Sequence, residues 1–248
     1  MKKNPFGHYL VLKRILIWMA GAVTHSRYRK FNELSIEGSE ILRMLPDKKV
    51  LFVSNHQTYF ADVIAMYHVF NAALTGRNDS IKNVLYLYQP KLNIYYIAAK
   101  ETMKKSLLTK LFAYAGSISV ERTWRDSGQE VNRQVKMSDI SNIGIAINDG
   151  WVITFPQGTT RAWAPLRKGT AHIIKKYKPI VVPVVIDGFR RSFDKKGLYI
   201  KKKEVLQTMK VKAPLILDSD TMDVDEIMNE LAFAIEQHPS LIKVKPQD

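Results

Sequence analysis

The 248-residue chain contains no cysteine. Disulfides, thiolate metal sites and a cysteine nucleophile are therefore excluded. It also lacks H-E-x-x-H, Walker-loop and G-x-G-x-x-G patterns, so nothing argues for a metal or nucleotide cofactor. A long apolar run is missing as well. The most membrane-like stretch, Tyr9–Val23, is interrupted by Lys13 and Arg14, and its unbroken part, Ile15–Val23, has nine residues. A spanning helix needs about 20. No clear cleavage site follows, which argues against a signal peptide. With Trp18 at mid-length and basic flanks, the stretch suits an amphipathic helix lying in a membrane interface; a helix packed on the domain is the plain alternative.

Repeats, low-complexity tracts and Gly/Ser-rich linkers are absent too. The expected organisation is an interfacial helix within residues 1–30 and one domain over 31–248. Acidic residues are in deficit: 38 Lys+Arg face 23 Asp+Glu, a net charge of +15. The imbalance is local. Residues 1–30 carry seven basic and no acidic residues, residues 187–212 nine against three, and residues 213–240 seven acidic and no basic ones. Such asymmetry fits a protein that turns one side to an anionic membrane surface. A non-enzymatic nucleic-acid-binding module is the alternative from another class. Tyr86, Tyr88, Tyr95 and Tyr96 could stack bases, but no nucleic-acid-binding module is recognisable, so no nucleic-acid partner is expected.

What is present reads as alternating strands and helices, an α/β chain with a mixed, largely parallel central sheet. Val50–Ser54 is a short buried strand, followed by a helix over Ala61–Leu74. Tyr95–Ala99, Ser117–Val120, Trp151–Phe155 and Ile180–Ile186 are further strands, and Pro183 argues that the last is an edge or bulged strand. Ser106 caps a helix that stops at Gly116. Ser127-x-x-Glu130 is read as a capping box opening a helix through Asn148. Lys168–Tyr177 is helical, and Val224, Ile227, Met228, Leu231 and Ile235 form a helical stripe after Asp223.

Chemistry concentrates where the first buried strand ends, at Asn55-His56-Gln57-Thr58-Tyr59-Phe60-Ala61-Asp62. The carboxyl ends of α/β strands are where such sheets place ligands. A histidine acts as a general base when a carboxylate fixes its tautomer. Six helical steps would rotate Asp62 away from His56, so the pair meets only if a non-helical loop lies between them. Three more segments follow in order: Gly116-Ser117-Ile118-Ser119-Val120-Glu121-Arg122, then Phe155-Pro156-Gln157-Gly158-Thr159-Thr160-Arg161, then Val181-Val182-Pro183-Val184. His8, His25, His68, His172 and His238 lack a partner at a recognisable spacing and read as surface or core residues.

These four blocks, with the Lys168-Gly169 helix start, resemble the glycerolipid acyltransferases, the 1-acylglycerol-3-phosphate acyltransferase family, over roughly residues 48–190. The resemblance implies that fold and transfer of a fatty acyl group from acyl-CoA or acyl carrier protein to the hydroxyl of a lysophospholipid such as lysophosphatidate. It implies His56 as general base, Asp62 as its orienting carboxylate, and Arg122 on the acceptor phosphate. Lys100, Gln157, Gly158, Thr159 and Arg161 are implied as further substrate contacts. It also implies a peripheral or monotopic place on the cytoplasmic face of the inner membrane. Backbone N–H groups near the start of the helix after His56 are the expected oxyanion donors. The chain departs from the family pattern in three ways. Five residues, not four, separate His56 and Asp62, as in the tafazzin branch. Gln157 stands at a usual Glu, and Thr160 at a usual Arg, with Arg161 one place later. These changes bear on the acceptor, and a hydroxyacyl amino-acid lipid is an alternative to lysophosphatidate.

Overall fold

The computed structural model describes residues 1–103, 107–121, 125–126, 129–130 and 136–242. Helix α1 (Leu10–Thr24) and a short α2 (Ser26–Arg29) precede strand β1 (Glu33–Glu37), a 3-10 turn, and strand β2 (Val50–Ser54). Then come α3 (Ala61–Leu74), a 3-10 turn over Val84–Leu87, β3 (Ile94–Ala99), α4 (Lys100–Met103), α5 (Leu107–Gly116) and β4 (Ser117–Val120). A two-residue antiparallel ribbon, β5 (Arg125–Asp126) with β6 (Gln129–Glu130), leads to α6 (Met137–Asp149) and β7 (Trp151–Thr154). The chain continues through α7 (Gly169–Tyr177), β8 (Ile180–Asp187), α8 (Phe189–Ser192), β9 (Leu206–Val211) and α9 (Val224–Ala234).

Seven strands form one sheet in the order β1-β9-β8-β2-β7-β3-β4. Every pairing is parallel except β8 with β9. The central strands are apolar throughout because both faces are covered. Val50 and Phe52 of β2 pack with α3, while Leu51 and Val53 pack with α6, α7 and α9. Helix α3 is buried at almost every position, which explains why it is apolar all round. Helix α1 packs against it on the same face of the sheet, and the Tyr67 hydroxyl donates to Ala115 O of α5 at 3.1 Å.

Two expectations are corrected. Pro183 lies on an inner strand, between β2 and β9, in register with Val53. Its carbonyl accepts Lys212 N–H at 2.9 Å. A strand residue points its N and its carbonyl to the same side, so the missing N–H faces the place where β9 has already ended. The proposed Ser127–Glu130 helix start is also replaced. Gln129–Glu130 pairs with Arg125–Asp126, and the helix begins at Met137; Ser127 lies outside the described residues.

The N-terminal segment is integral to the packing. Ile17 and Tyr28 belong to the same core cluster as α3, and the Tyr28 hydroxyl donates to Ala61 O at 2.8 Å. Among the described residues no helix is long and apolar enough to cross a membrane.

Candidate active site

Strand β2 delivers Asn55 and His56 to the carboxyl edge of the sheet. Asn55 extends the pairing by side chain alone: Nδ2 donates to Ile186 O at 2.8 Å and Oδ1 accepts Ile186 N–H at 2.9 Å. Residues 55–60 are non-helical, and α3 begins at Ala61. That loop lets the chain turn back, so Asp62 faces His56 despite the six-residue separation.

His56 Nδ1 lies 2.9 Å from Asp62 Oδ2. The Asp62 side chain is fully buried, and His56 keeps 13% exposure. The carboxylate also accepts Gln57 N–H at 2.6 Å, Thr58 N–H at 3.0 Å and the Thr58 hydroxyl at 2.7 Å. A buried carboxylate needs such donors to offset its lost hydration. With Nδ1 held by Asp62, Nε2 is the nitrogen available to a ligand. The imidazole is also stacked on Phe155, with centroids 4.0 Å apart and planes at 20°.

The loop is braced from outside. Tyr59 N–H donates to Lys195 O at 3.2 Å and Phe60 N–H to Lys196 O at 3.0 Å. Gly197 makes this approach possible: its φ is +75°, and a Cβ there would lie 2.5 Å from Ala61 N and 2.8 Å from Thr58 Oγ1. Gln57 ties in α8, with Nε2 on Asp187 Oδ1 at 3.0 Å and Oε1 accepting Arg190 N–H at 3.1 Å. This bracing removes the N–H groups of the loop before α3 from the oxyanion expectation. All four N–H groups of residues 57–60 are already bonded within the protein, so they are not the free donors an oxyanion needs.

A cavity of about 760 Å³ opens beside His56. One lobe is walled by Tyr59, Phe60, Val63 and Tyr96, on the α3 face of the sheet. The other runs between α6 and α7, past Ile140, Ile143, Leu166 and Ile173, with Arg167, Lys168, His172 and Lys176 also lining it.

The residues singled out in the sequence are distributed unevenly around this space. Gly158 lines it. Thr159, Thr160 and Arg161 continue the same turn, where Arg161 N–H donates to Thr159 Oγ1 at 3.3 Å and the Arg190 guanidinium reaches Thr160 O at 2.6 Å. Gln157 is turned inward and 1% exposed. Its Nε2 donates to Ala164 O and Gln237 Oε1, at 3.0 and 3.1 Å, so it fastens the following loop to the end of the C-terminal helix. Lys100 is paired with Glu121 at 2.8 Å. Lys100, together with Lys136, holds the Glu121 carboxyl down at about 2. Arg122 lies outside the described residues. Sequence reasoning missed the supporting roles of Asn55, Gln57 and Thr58, whose signal was a polar run directly after an all-apolar strand. His172, read as a surface or core residue, is exposed and also lines the cavity.

A family model described as "Acyltransferase" matches residues 33–187. A curated protein of Cocos nucifera, named 1-acyl-sn-glycerol-3-phosphate acyltransferase, is 24% identical over 222 residues, covering 87% of this chain and 56% of that protein. The chain thus spans little more than half the length of that relative. The crystal structure of the 1-acyl-sn-glycerophosphate (LPA) acyltransferase PlsC from Thermotoga maritima is similar at a TM-score of 0.58 and 18% identity, covering 95% of this chain and 81% of that one.

Proposed function

The chain belongs to the acyltransferase family, and we propose that it moves a fatty acyl group from the thioester of acyl-CoA or acyl carrier protein to the hydroxyl of a lysophospholipid such as lysophosphatidate. The observation that carries this reading is the His56–Asp62 pair, 2.9 Å apart, at the wall of the cavity of about 760 Å³. In this reading Nε2 of His56 takes the acceptor hydroxyl proton as the oxygen attacks the thioester carbon. The tetrahedral intermediate then collapses, the C–S bond breaks, and the imidazolium returns its proton to the leaving thiolate. Asp62 holds the imidazole in the required tautomer and balances its charge. General-base assistance of this kind contributes a factor of about 10² to 10⁴.

The apolar lobe at Phe60, Val63 and Tyr96 suits the acyl chain. Arg122, Lys100, Gly158, Thr159 and Arg161 are proposed for the acceptor headgroup, on the resemblance given above. The membrane reading rests on α1, which turns Val11, Ile15, Trp18 and Met19 outward; we place the protein on the cytoplasmic face of the inner membrane.

The test is turnover of labelled acyl donor in lipid vesicles with a panel of lyso-lipid acceptors. His56→Ala should stop transfer while circular dichroism stays unchanged; unaltered turnover in that variant defeats the reading. The inward turn of Gln157 and the Thr at position 160 favour a second reading, in which the acceptor is a hydroxyacyl amino-acid lipid. Exclusive use of lysophosphatidate in the same panel removes it.

A further inference from the structure

We propose that the lobe between α6 and α7 binds the phosphorylated pantetheine arm of the acyl donor, with Lys176 at its outer end; the assignment of that arm to a donor rests on the acyl-transfer reading.

The geometry starts from the direction of α7. This helix leaves the carboxyl edge of the sheet, where His56 sits, and runs back to the start of β8. Lys176 is seven residues beyond Gly169, about 10 Å farther along the helix axis. Gly169, His172, Ile173 and Lys176 all line the cavity, so the lobe follows α7 away from the reacting centre. It is closed where the two helices touch. The Tyr177 hydroxyl donates to Ile140 O at 2.8 Å, and any Cβ at Gly144 would overlap the Tyr177 ring.

The lobe changes character along its length. Its floor is apolar, from Ile140, Ile143, Leu166 and Ile173. Its rim carries cations at Lys168 and Lys176 and the imidazole of His172, all exposed. Lys168 already shares its charge with Asp225 of α9 at 2.7 Å. The two lining carboxylates are engaged as well: Asp139 accepts Glu121 N–H at 2.8 Å, and Glu121 holds Lys100 and Lys136. Lys176 stands over its own neighbour's ring, 5.5 Å from the Tyr177 centroid. A wholly apolar acyl chain has no use for a cationic rim, and a compact headgroup at the Gly169 end of α7 does not reach two helical turns along it to Lys176. A long arm of methylene and amide units that ends in phosphate matches both the floor and the rim.

Binding is measured directly on the full-length chain, so the outcome does not depend on turnover. The probes are CoA, 4′-phosphopantetheine and unphosphorylated pantetheine, titrated by calorimetry against the native protein, Lys176→Glu and Lys176→Gln. The proposal expects Lys176→Glu to weaken CoA about ten-fold, Lys176→Gln to weaken it less, and pantetheine to be unaffected by either. Equal weakening of 4′-phosphopantetheine points to the phosphate that CoA and acyl carrier protein share; weakening confined to CoA points to its nucleotide phosphates and to CoA as donor. Unchanged CoA affinity in Lys176→Glu overturns the proposal, as does an equal loss for pantetheine. A rise in the KM for lysophosphatidate with unchanged CoA binding also overturns it, by assigning the rim to the acceptor. If the native protein binds CoA through Lys176 yet transfers no acyl group, the groove stands and the acyl-transfer reading fails.

Discussion

At the scale of single residues, Asp62 is the most heavily used carboxylate of the site. It is fully buried, holds His56 and accepts three further donors from Gln57 and Thr58. Asp62→Asn keeps the shape and replaces one acceptor by an NH₂ donor. The imidazole then turns its acceptor nitrogen toward the amide and carries its proton on the cavity side, where it cannot take another. The expected outcome is a fall in kcat of about 10² to 10⁴, with KM little changed. Retention of more than a tenth of kcat would show that His56 needs no orienting carboxylate. Lys13 gives a prediction of a different kind. Its ammonium is buried beneath α1, 3.3 Å from Ile94 O and 4.6 Å from the Tyr95 ring centroid. His8, Tyr67 and Asp149 are the other titratable groups facing it. Burial pushes its pKa down to about 7, against the pull of Asp149. The unfolded chain therefore holds a proton that the folded chain releases between pH 7 and the ordinary lysine value. Stability rises with pH wherever the unfolded state binds more protons, so the protein gains about 2 kcal/mol between pH 7 and pH 9. Lys13→Met should lose that slope. Urea unfolding of both proteins at the two pH values measures it, and parallel slopes would mean the lysine is hydrated and charged in the fold.

At the scale of elements, the loop that carries His56 depends on a segment far from it in sequence. The turn at residues 194–197 supplies two carbonyls to Tyr59 and Phe60, and only a glycine at 197 permits the contact. Gly197→Ala must push Ala61 and Thr58 away, and Thr58 carries two of the bonds to Asp62. The expected result is a kcat loss of about ten-fold or more and a destabilisation of about 1–3 kcal/mol, from positive-φ strain and steric overlap. Normal kcat in a destabilised protein would separate the brace from the chemistry. Gly197 gave no signal in the sequence, because its partner lies 136 residues earlier. The elements that were legible are those buried along most of their length: β2, β7 and β8 are mostly apolar because helices cover both faces of the sheet, and α3 is mostly apolar because it is buried at almost every position. Strands β1 and β9 escaped notice because they bury alternate residues only and carry Glu33, Glu37 and Lys210 outward. The His56–Asp62 meeting was legible for a physical reason, since their spacing demanded a loop after the strand. The fate of Gln157 was not: its partners Ala164 and Gln237 come from a loop and from beyond α9, and no local pattern joins them.

At the scale of the whole molecule, α1 has its faces reversed relative to a helix in water. Lys13, Ile17, Gly21 and Thr24 point inward, while Val11, Leu12, Ile15, Trp18, Met19 and Val23 are each more than 40% exposed. Water-facing helices do the opposite, and an exposed apolar stripe of this kind marks a contact surface. The charge around it gives the surface a sign: Lys2, Lys3, Arg14, Arg27, Arg29 and Lys30 lie in the same segment with no acidic residue among them. Each basic residue near an anionic headgroup layer contributes about 1 kcal/mol of attraction. Deleting residues 1–24 would be a poor test, because Ile17 and Lys13 are buried in the fold and their loss would open the core. Replacing exposed positions avoids that. Ile15→Glu combined with Met19→Glu should leave the unfolding free energy within about 0.5 kcal/mol of the native value, as surface changes do. The same pair should release the protein from vesicles containing anionic lipid in a flotation assay. Release by salt alone, with the double variant still bound, would assign attachment to the basic residues and leave the apolar face of α1 without a membrane role.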